Sequence, residues 1–432
     1  MSESRQSWGR YPAIHQSSES LQWRDELPAR LAQWQPGLPF GRGRSYGDVC
    51  LAHNQRLLDM SSLNRVIAFD RHQGRIRAEA GISLYDLLTV MVPAGWFLPV
   101  VPGTGHATLG GAIANDVHGK NHHRNGTFGC HIERLALWRE GQLLECSASD
   151  NPALFQATIG GLGLTGYILW AEIRLQAVST SQIDAITHRF HNLDDFFDLA
   201  DQYDSSHEYG VAWLDCLASG KDRGRGVYFA GQHARYAEPS RWRPLPLGMP
   251  LTPPLSLVNP LSLRAFNYLY WHTKPARPTL ARGPYQPYFF PLDSISHWNR
   301  MYGPRGFQQY QCVIPSAHER EAIASLLDAI AEARQGSFLA VLKRCGDVPS
   351  PGLLSFPMAG TSLALDFPSP QRLQPLFERL DAIVRDAGGR LYPAKDAHMQ
   401  ADDFRHFYPR WQDVEQWRDQ HIQSLFWQRV TQ

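Results

Sequence analysis

Short apolar runs alternate with turn residues over the first 175 residues, a pattern that predicts small strands joined by loops and by a few short helices. Ser83, with Asp86 as a capping-box acid, begins one predicted helix, and Asn151-Pro152 begins another with proline in its first turn. The predicted strands are Arg56–Met60, Arg65–Phe69, Arg75–Ala80, the hairpin of Arg134–Glu140 and Gln142–Ser147, and Tyr167–Leu175.

Two later segments carry the apolar period of amphipathic helices. One runs from Ser316, with Glu319 completing a capping box, to a glycine stop at Gly336, and the other runs from Ser369-Pro370 to Gly388-Gly389. Strands are predicted nearby at Gln309–Pro315, Ser337–Lys343 and Thr361–Phe367. The order strand, helix, strand, strand, helix predicts an α+β layer, an antiparallel sheet with helices on one face.

The middle of the chain is less regular. Pro244–Pro260 holds six prolines and five leucines, and the aromatic run Ala265–Trp271 follows it. Proline lacks a backbone donor, so Pro244–Pro260 is predicted as neither helix nor inner strand. Two interpretations of the whole segment stay open, a long packed loop and a mobile apolar flap over a site for an apolar ligand.

Composition narrows the class of protein. The length of 432 residues predicts two or three domains at roughly 100–200 residues each. With 43% apolar and 19% charged residues, the chain is typical of a folded globular protein. Lys and Arg number 42 against 41 acids, a balance that disfavours bulk capture of nucleic acid and suggests no polybasic membrane surface. Any contact with lipid would then be apolar, and Pro244–Trp271 is the candidate segment for it.

Cysteine spacing and the apolar stretches indicate the cellular compartment of the protein. The six cysteines have no paired spacing, which is typical of free thiols in a reducing compartment. Met1–Ser20 has no apolar core, and Leu87–Gly105 carries three prolines that make it a poor membrane span. We expect a cytoplasmic protein, with peripheral contact at the inner face of the plasma membrane as an open alternative.

Two familiar motifs occur in the wrong context. Gly43-Arg44-Ser45-Tyr46-Gly47 has the spacing of an esterase nucleophile elbow, but no helix pattern follows the serine. Gly161–Gly166 reads GxGxxG, but a predicted helix precedes it and a strand follows, which inverts the order of a Rossmann loop. Neither a hydrolase nor a Rossmann protein is therefore favoured.

Histidines and glycines form two further groups. His118, His122, His123 and His131 lack the cysteine or carboxylate spacing of a zinc site, so no metal is expected. Three glycine-dense loops span Gly41–Gly47, Gly103–Gly111 and Gly160–Gly166. Such loops are either tight turns or a backbone cradle for a phosphorylated cofactor, and their number favours the cofactor.

In this order the loops resemble those of the vanillyl-alcohol oxidase type of FAD-dependent flavoprotein, and within that family the members acting on a polyprenyl-phosphate pentose. The resemblance extends from about Trp8 to Tyr408 and is weak from Gln176 to Tyr285. It is carried by Gly43–Asp48, Gly110–Ala114, His118–His123, Gly163–Gly166, Trp298–Arg300, Tyr302–Pro304, Gln309–Gln311, Gly389–Tyr392 and Ala394–Asp396.

The resemblance implies two domains, the first of them discontinuous. Residues 1–180 would form the first part of the FAD domain, 181–388 the substrate domain with the antiparallel sheet, and 389–432 a segment returning to the FAD domain. FAD would contact Gly41, Arg42, Gly43, Arg44, Ser45, Tyr46, Gly47, Asp48, Val49, Gly103, Thr108, Leu109, Gly110, Gly111, Asn115, Asp116, Val117, His118, Tyr167 and Tyr392. Many relatives attach the flavin through a histidine where this chain has Arg44, so non-covalent FAD is expected.

The resemblance also implies the reaction. Lys395, His118 and Tyr46 are the expected catalytic residues, with Lys395 binding or deprotonating the alcohol. The expected substrate-binding residues are Lys120, Tyr302, Gln309, Gln311, Lys343 and Lys395. The lysines suit a phosphate, and the two glutamines, two apart on a strand, face one way toward sugar hydroxyls. Ala364 stands where mycobacterial relatives have a cysteine, so covalent trapping there is not expected.

The expected activity is FAD-dependent oxidation of the 2′-hydroxyl of a polyprenyl-phosphoryl ribofuranose to a ketone. A separate NAD(P)H-dependent short-chain reductase would complete epimerisation to the arabinose form used in cell-envelope glycans. Two alternatives stay open, an FAD-dependent alditol or sugar-lactone oxidase and a non-catalytic nucleotide-binding scaffold.

Overall fold

The structure is a computed structural model and describes residues 5–33, 37–236, 247–368 and 372–432. The strands of the first 180 residues are β1 (Ser17–Ser20), β2 (Leu38–Phe40), β3 (Arg56–Asp59), β4 (Val66–Asp70), β5 (Arg75–Glu79), β6 (Trp96–Phe97), β7 (Ile132–Arg139), β8 (Gln142–Ser147), β9 (Tyr167–Arg174) and β10 (Gln176–Ala177). The later strands are β11 (Gln182–Phe190), β12 (Tyr209–Leu214), β13 (Gly226–His233), β14 (Leu247–Gly248), β15 (Thr279–Pro284), β16 (Ile295–Ser296), β17 (Phe307–Pro315), β18 (Ala340–Cys345), β19 (Gly360–Pro368) and β20 (Arg390–Leu391).

The α-helices are α1 (Leu27–Gln33), α2 (Leu84–Met91), α3 (Leu109–Ala114), α4 (His122–Asn125), α5 (Pro152–Thr158), α6 (Leu193–Asp204), α7 (Pro260–Thr273), α8 (Tyr285–Phe289), α9 (Glu319–Glu332), α10 (Gln374–Asp386), α11 (Ala401–Phe407), α12 (Trp411–Trp417) and α13 (Leu425–Thr431). The Ser83 hydroxyl accepts from the Asp86 amide and caps α2 as predicted. Pro152 lies in the first turn of α5, which is also as predicted.

Three sheets occur among the described residues of the first part of the chain, and the smallest is the antiparallel pair of β6 with β10. Strands β1, β3 and β2 make a small parallel sheet, and β4, β5, β9, β7 and β8 make a five-stranded antiparallel sheet in that order. The predicted strands and the hairpin of β7 with β8 are confirmed. Helices α2 and α3 pack on the inner face of this sheet and form an apolar cluster with it. Leu87, Ile113 and Ile173 of this cluster have no solvent exposure.

An eight-stranded antiparallel sheet dominates the rest, in the order β15-β11-β13-β12-β18-β19-β17-β20. Helices α6, α9 and α10 pack on it. Tyr310 of β17 points to that helical side, where its hydroxyl donates to Asp381 of α10 at 2.9 Å. Helices α9 and α10 lie on one face of the antiparallel sheet as predicted, and the α+β class is confirmed. Helix α7, by contrast, packs on the opposite face through Trp271 against Trp213 and Val227.

The helix ends differ from prediction. Helix α9 begins at Glu319 behind His318, which makes no side-chain cap, and the Glu319 carboxylate instead accepts from the Thr361 hydroxyl. The predicted capping box is therefore wrong, because the Glu319 carboxylate binds Thr361 of β19 and not the start of the helix. Arg334, at φ +52°, takes the left-handed position expected of Gly336. Gly388, at φ +68°, ends α10 as predicted, whereas the predicted start at Ser369-Pro370 lies outside the described residues.

The aromatic run Ala265–Trp271 is neither loop nor flap but the body of α7. Asn259 and Ser262 form a reciprocal capping box, and Pro260 fills the first turn, where no backbone donor is needed. The prolines before it therefore position a helix start. The described residues of the proline-rich stretch agree with prediction, since β14 makes only a two-stranded pair with β16.

The C-terminal segment connects both parts. Strand β20 adds an edge to the large sheet beside β17. Of the helices after it, α13 packs against the turn at Asp48–Cys50, α12 packs against α5, and α11 packs between α10 and α13. Ser424 bridges Ala52, and Arg429 of α13 binds the carboxylate of Asp48 through two hydrogen bonds of 2.8 and 3.0 Å.

Candidate flavin and substrate site

The first glycine loop follows β2 and lies against the C-terminal segment. The Tyr46 amide donates to the Ala394 carbonyl at 3.0 Å. A Cβ at position 47 would come within 1.6 Å of the Asp396 carbonyl oxygen, so only glycine allows this approach. Gly43 has φ +59°, which turns the loop back after β2. The loop is followed by a 3₁₀ turn at Asp48–Cys50 rather than the α-helix of an esterase elbow.

The second loop borders the first, since a Cβ at Gly41 would lie 2.5 Å from the Thr108 hydroxyl oxygen, and the third loop borders α3, where the Gly160 amide donates to the Ile113 carbonyl. Thr108 caps α3 by accepting from the Gly111 amide at 3.2 Å, and a Cβ at Gly103 would meet nothing within 4 Å. Gly160–Gly166 runs from α5 into β9, which confirms the inverted order and excludes a Rossmann loop.

Unused polar groups of these loops fit a diphosphate-bearing cofactor. Within the described ranges, the backbone amides of residues 42–45 and of Gly47 donate to no protein acceptor. Asn115 Oδ1 is buried and has no donor in the same part of the chain. Consecutive unpaired amides near an open glycine are the groups that a phosphate anion binds, so the residues present fit FAD.

Several side chains predicted near the cofactor are engaged elsewhere. The Asp48 carboxylate binds Arg429, and the Asp116 carboxylate accepts from the Gly129 amide and from the hydroxyls of Ser350 and Ser355. The Tyr167 hydroxyl donates to the Gly37 carbonyl at 2.8 Å. The side chains of Val49, Leu109 and Tyr167 are buried in the core. Any contact of these residues with FAD therefore comes from their backbones.

Arg44, at the position of the covalent histidine in many relatives, stacks on the Trp8 ring with its guanidinium carbon 4.3 Å from the ring centre. Its Nη1 donates to the Arg42 carbonyl at 2.6 Å. The guanidinium thus braces the loop that bears it.

The register of the large sheet collects the predicted substrate residues on the face away from α6, α9 and α10. Gln309 lies opposite Asp366, Gln311 opposite Ala364, and Lys343 opposite Ser362. Directly paired antiparallel residues share a face, so these side chains project together.

One group on this face joins His118 to two residues of the sheet. Lys343 Nζ contacts His118 Nδ1 and donates to the Gly119 carbonyl at 2.8 Å, and the Gln311 amide lies 3.1 Å from His118 Nε2. Burial and, after it, the charge of Lys343 hold the His118 pKa well below its usual value, so the ring is neutral. When Lys343 is protonated, its ammonium donates a hydrogen bond to His118 Nδ1. The proton of the neutral ring is then on Nε2, so Gln311 must present its side-chain carbonyl oxygen to Nε2.

A second group surrounds Lys395. Its ammonium lies 3.6 Å from the centre of the Tyr46 ring, and Gln309 Nε2 donates to Asp366 Oδ1 at 2.5 Å. Burial lowers the Lys395 pKa and raises that of Asp366, while the charge of each opposes the shift of the other. Asp366 Oδ2 is buried with no hydrogen-bond donor among the described residues. Lys395, with its pKa lowered to about 7, can therefore lose its proton near neutral pH, as a proton acceptor in the site must.

The remaining predicted residues lie around these groups. Tyr392 packs 5.6 Å from the His118 ring and donates to the Asn115 carbonyl, while Tyr302 stacks on Phe307 at 4.2 Å. Lys120 donates to the Tyr288 carbonyl rather than joining Lys343. Burial, with the charge of Lys343, lowers the Lys120 pKa to about 7.

Sequence reasoning missed Asp366 and Phe356. Asp366 alternates with Ser362 and Ala364 on β19, and this two-residue period placed it on the face of Gln309. Phe356 stacks 4.6 Å from Tyr392, and it comes from a loop without any periodic signal.

Among the described residues, His, Cys, Asp and Glu side chains form no group of three or more arranged to hold a metal. The helices in these ranges also include none with the length and apolar character needed to cross a bilayer.

Fold and site together define an FAD-dependent oxidoreductase of the vanillyl-alcohol oxidase family. Residues 30–147 match the family model of an FAD binding domain. The chain is 34% identical over 389 residues to decaprenylphosphoryl-beta-D-ribose oxidase of Mycolicibacterium smegmatis, covering 87% of this chain and 83% of that protein. It belongs to the family of that enzyme.

Two further relatives differ in how much of this chain they match. An uncharacterised protein of Streptomyces coelicolor is 34% identical over 351 residues, covering 78% of this chain and 95% of that protein. L-gulonolactone oxidase of Mus musculus is 32% identical over 139 residues, covering 32% of this chain and 31% of that protein.

Proposed function

We propose that this enzyme oxidises the 2′-hydroxyl of a polyprenyl-phosphoryl-β-D-ribofuranose to the 2′-ketone. The observation that carries the proposal is the shared sheet face, on which Gln309, Gln311 and Lys343 project toward His118 and Lys395. The similarity to the ribose oxidase extends over both parts of the chain, whereas that to the lactone oxidase covers a third of it. A free alditol or lactone is therefore the weaker candidate.

The proposed roles follow from the chemistry of each side chain. Lys343 binds the substrate phosphate as a compact cation, and Gln309 and Gln311 hold sugar hydroxyls through their amides. Lys395, in its neutral form, accepts the proton of the 2′-hydroxyl, and Tyr46 orients it through the ring contact. The glycine loops would hold FAD, which would supply the hydride acceptor for the alcohol carbon.

The wider setting is part of the same proposal. A separate NAD(P)H-dependent short-chain reductase would reduce the ketone to the arabinose form, and both enzymes would act at the cytoplasmic face of the plasma membrane. We also propose that the functional division follows residues 1–180 with 389–432 for FAD and 181–388 for the substrate.

Anaerobic flavin reduction tests the substrate. The holoenzyme is mixed with a short-chain prenyl-phosphoryl ribose, a free alditol or a sugar lactone, and the flavin absorbance is followed. Bleaching by the phosphoryl ribose alone is expected. Bleaching by an alditol or lactone alone would select the second candidate, and protein that never acquires flavin absorbance with added FAD would select a non-catalytic scaffold.

A further inference from the structure

Exposed apolar side chains concentrate in one segment of the molecule. Of fifteen large hydrophobic residues exposed in the described ranges, nine lie between residues 247 and 280, which we call the apolar segment. Leu251, Leu255 and Leu261 are 78%, 78% and 79% exposed. A cluster of this kind marks an interaction surface, whereas single exposed leucines do not.

Helix α7 has apolar residues on both of its sides. Leu263, Asn267 and Trp271 face the protein, where the Asn267 amide donates to Asp215 at 2.8 Å. Leu261, Tyr268 and Leu269, spaced to share the opposite side, are 79%, 56% and 60% exposed. The buried side holds the helix in place, so the exposed side is a fixed apolar surface.

The charge of this region has one sign. From residue 239 to residue 292 the sequence contains six Lys and Arg and no Asp or Glu, although the whole chain is balanced at 42 bases and 41 acids. Arg282 pairs with Asp184, whereas Arg264 and Arg277 are exposed and form no ion pair with any described residue. An apolar surface among unpaired cations complements an anionic lipid surface, where apolar side chains enter the interface and cations meet phosphates.

The apolar segment is continuous with the candidate site. Val258 and Leu263, at its inner side, form a buried cluster with Trp298, Tyr302 and Phe307. Tyr46 packs against the same cluster, with its ring 5.5 Å from Phe307. A ligand leaving a membrane along α7 would therefore arrive beside Tyr46.

We propose that the apolar segment docks on an anionic lipid bilayer, with Leu261, Tyr268 and Leu269 entering the interface and Arg264 and Arg277 facing lipid phosphates. This inference rests on the proposed function in so far as it explains access to a prenyl-linked substrate. It corrects the expectation from overall charge, because the balanced total conceals a cationic region.

Vesicle pelleting with the purified holoenzyme tests the proposal. Wild-type protein should pellet with phosphatidylcholine vesicles containing phosphatidylglycerol, and much less with phosphatidylcholine alone or at high salt. Leu261→Ser with Leu269→Ser, and separately Arg264→Gln with Arg277→Gln, should each weaken binding about tenfold. Leu143→Ser with Lys221→Gln removes a leucine that is 56% exposed and an exposed lysine elsewhere, and this variant should bind as wild type.

Three results would overturn the proposal: no preference for anionic vesicles, unchanged binding of the leucine variant, or a wild-type dimer that this variant converts to monomer in sedimentation velocity. The last would assign the surface to a second copy of the chain. Pelleting needs no substrate, and a short-chain substrate should bleach the flavin of the leucine variant normally. Failure of docking and failure of the proposed reaction are therefore separate outcomes.

Discussion

Lys395 and Tyr46 meet with the lysine ammonium 3.6 Å from the centre of the tyrosine ring, which joins the first glycine loop to the C-terminal segment. Lys395→Ala should lower kcat by about 10²- to 10⁴-fold, because the proposed proton acceptor is lost. FAD should stay bound, since the glycine loops remain. Steady-state turnover and flavin absorbance measure both effects, with exposed Lys221→Ala as the control. Unchanged turnover would refute the role of Lys395.

Asp366→Asn should move the pH profile of kcat/KM. Burial lowers the Lys395 pKa to about 7, and the Asp366 charge opposes that shift. Without this carboxylate the lysine loses its proton at lower pH, so the acid limb of the profile should move to lower pH. An acid limb at unchanged pH would show that Asp366 does not influence the pKa of the proton acceptor. Asp328→Asn, a surface substitution, is the control.

The flavin should dissociate in acid. Arg44 has no nucleophilic atom to bond the flavin, and its guanidinium is held by Trp8 and the Arg42 carbonyl. Trichloroacetic acid should therefore give a colourless pellet and a yellow supernatant. A yellow pellet would show a covalent bond, and Cys130→Ser would then test whether that thiol forms it.

Ala364→Cys should create a reactive thiol at the site. Ala364 pairs with Gln311 on the face that bears His118, whereas four of the six native cysteines are buried. A maleimide should abolish turnover of this variant and leave the wild type active. Equal inactivation of both proteins would place the sensitive thiol elsewhere.

His398 should make stability depend on pH. Asp396, 3.0 Å from Nδ1, and Asp381, 3.1 Å from Nε2, raise the His398 pKa to about 10 despite burial. Because the folded pKa exceeds the unfolded value near 6.5, this stabilisation is complete below pH 6.5 and is lost as pH rises toward 10. The difference in free energy of unfolding between wild type and His398→Gln should shrink over that range in urea titrations. A constant difference would contradict the charged histidine.

Local pattern predicted much of the fold. The period of two in β17 and β19, and the apolar stripe of α10, were readable because each depends on neighbours a few residues apart. The α7 helix was missed because prolines and aromatics mask the capping box of Asn259 and Ser262. The Glu319 cap failed because Thr361, distant in sequence, binds that acid.

The sequence by itself determined the glycine loops, the alternation that points Gln309 and Gln311 the same way, and the motifs of a flavoprotein family. Only the tertiary structure decided that the charge of Asp366 acts on Lys395, that Lys343 contacts His118, and that a cationic apolar surface adjoins Tyr46. Strand register and domain packing set these pairs, and both arise from summed contacts between distant segments. No local window of residues carries that information.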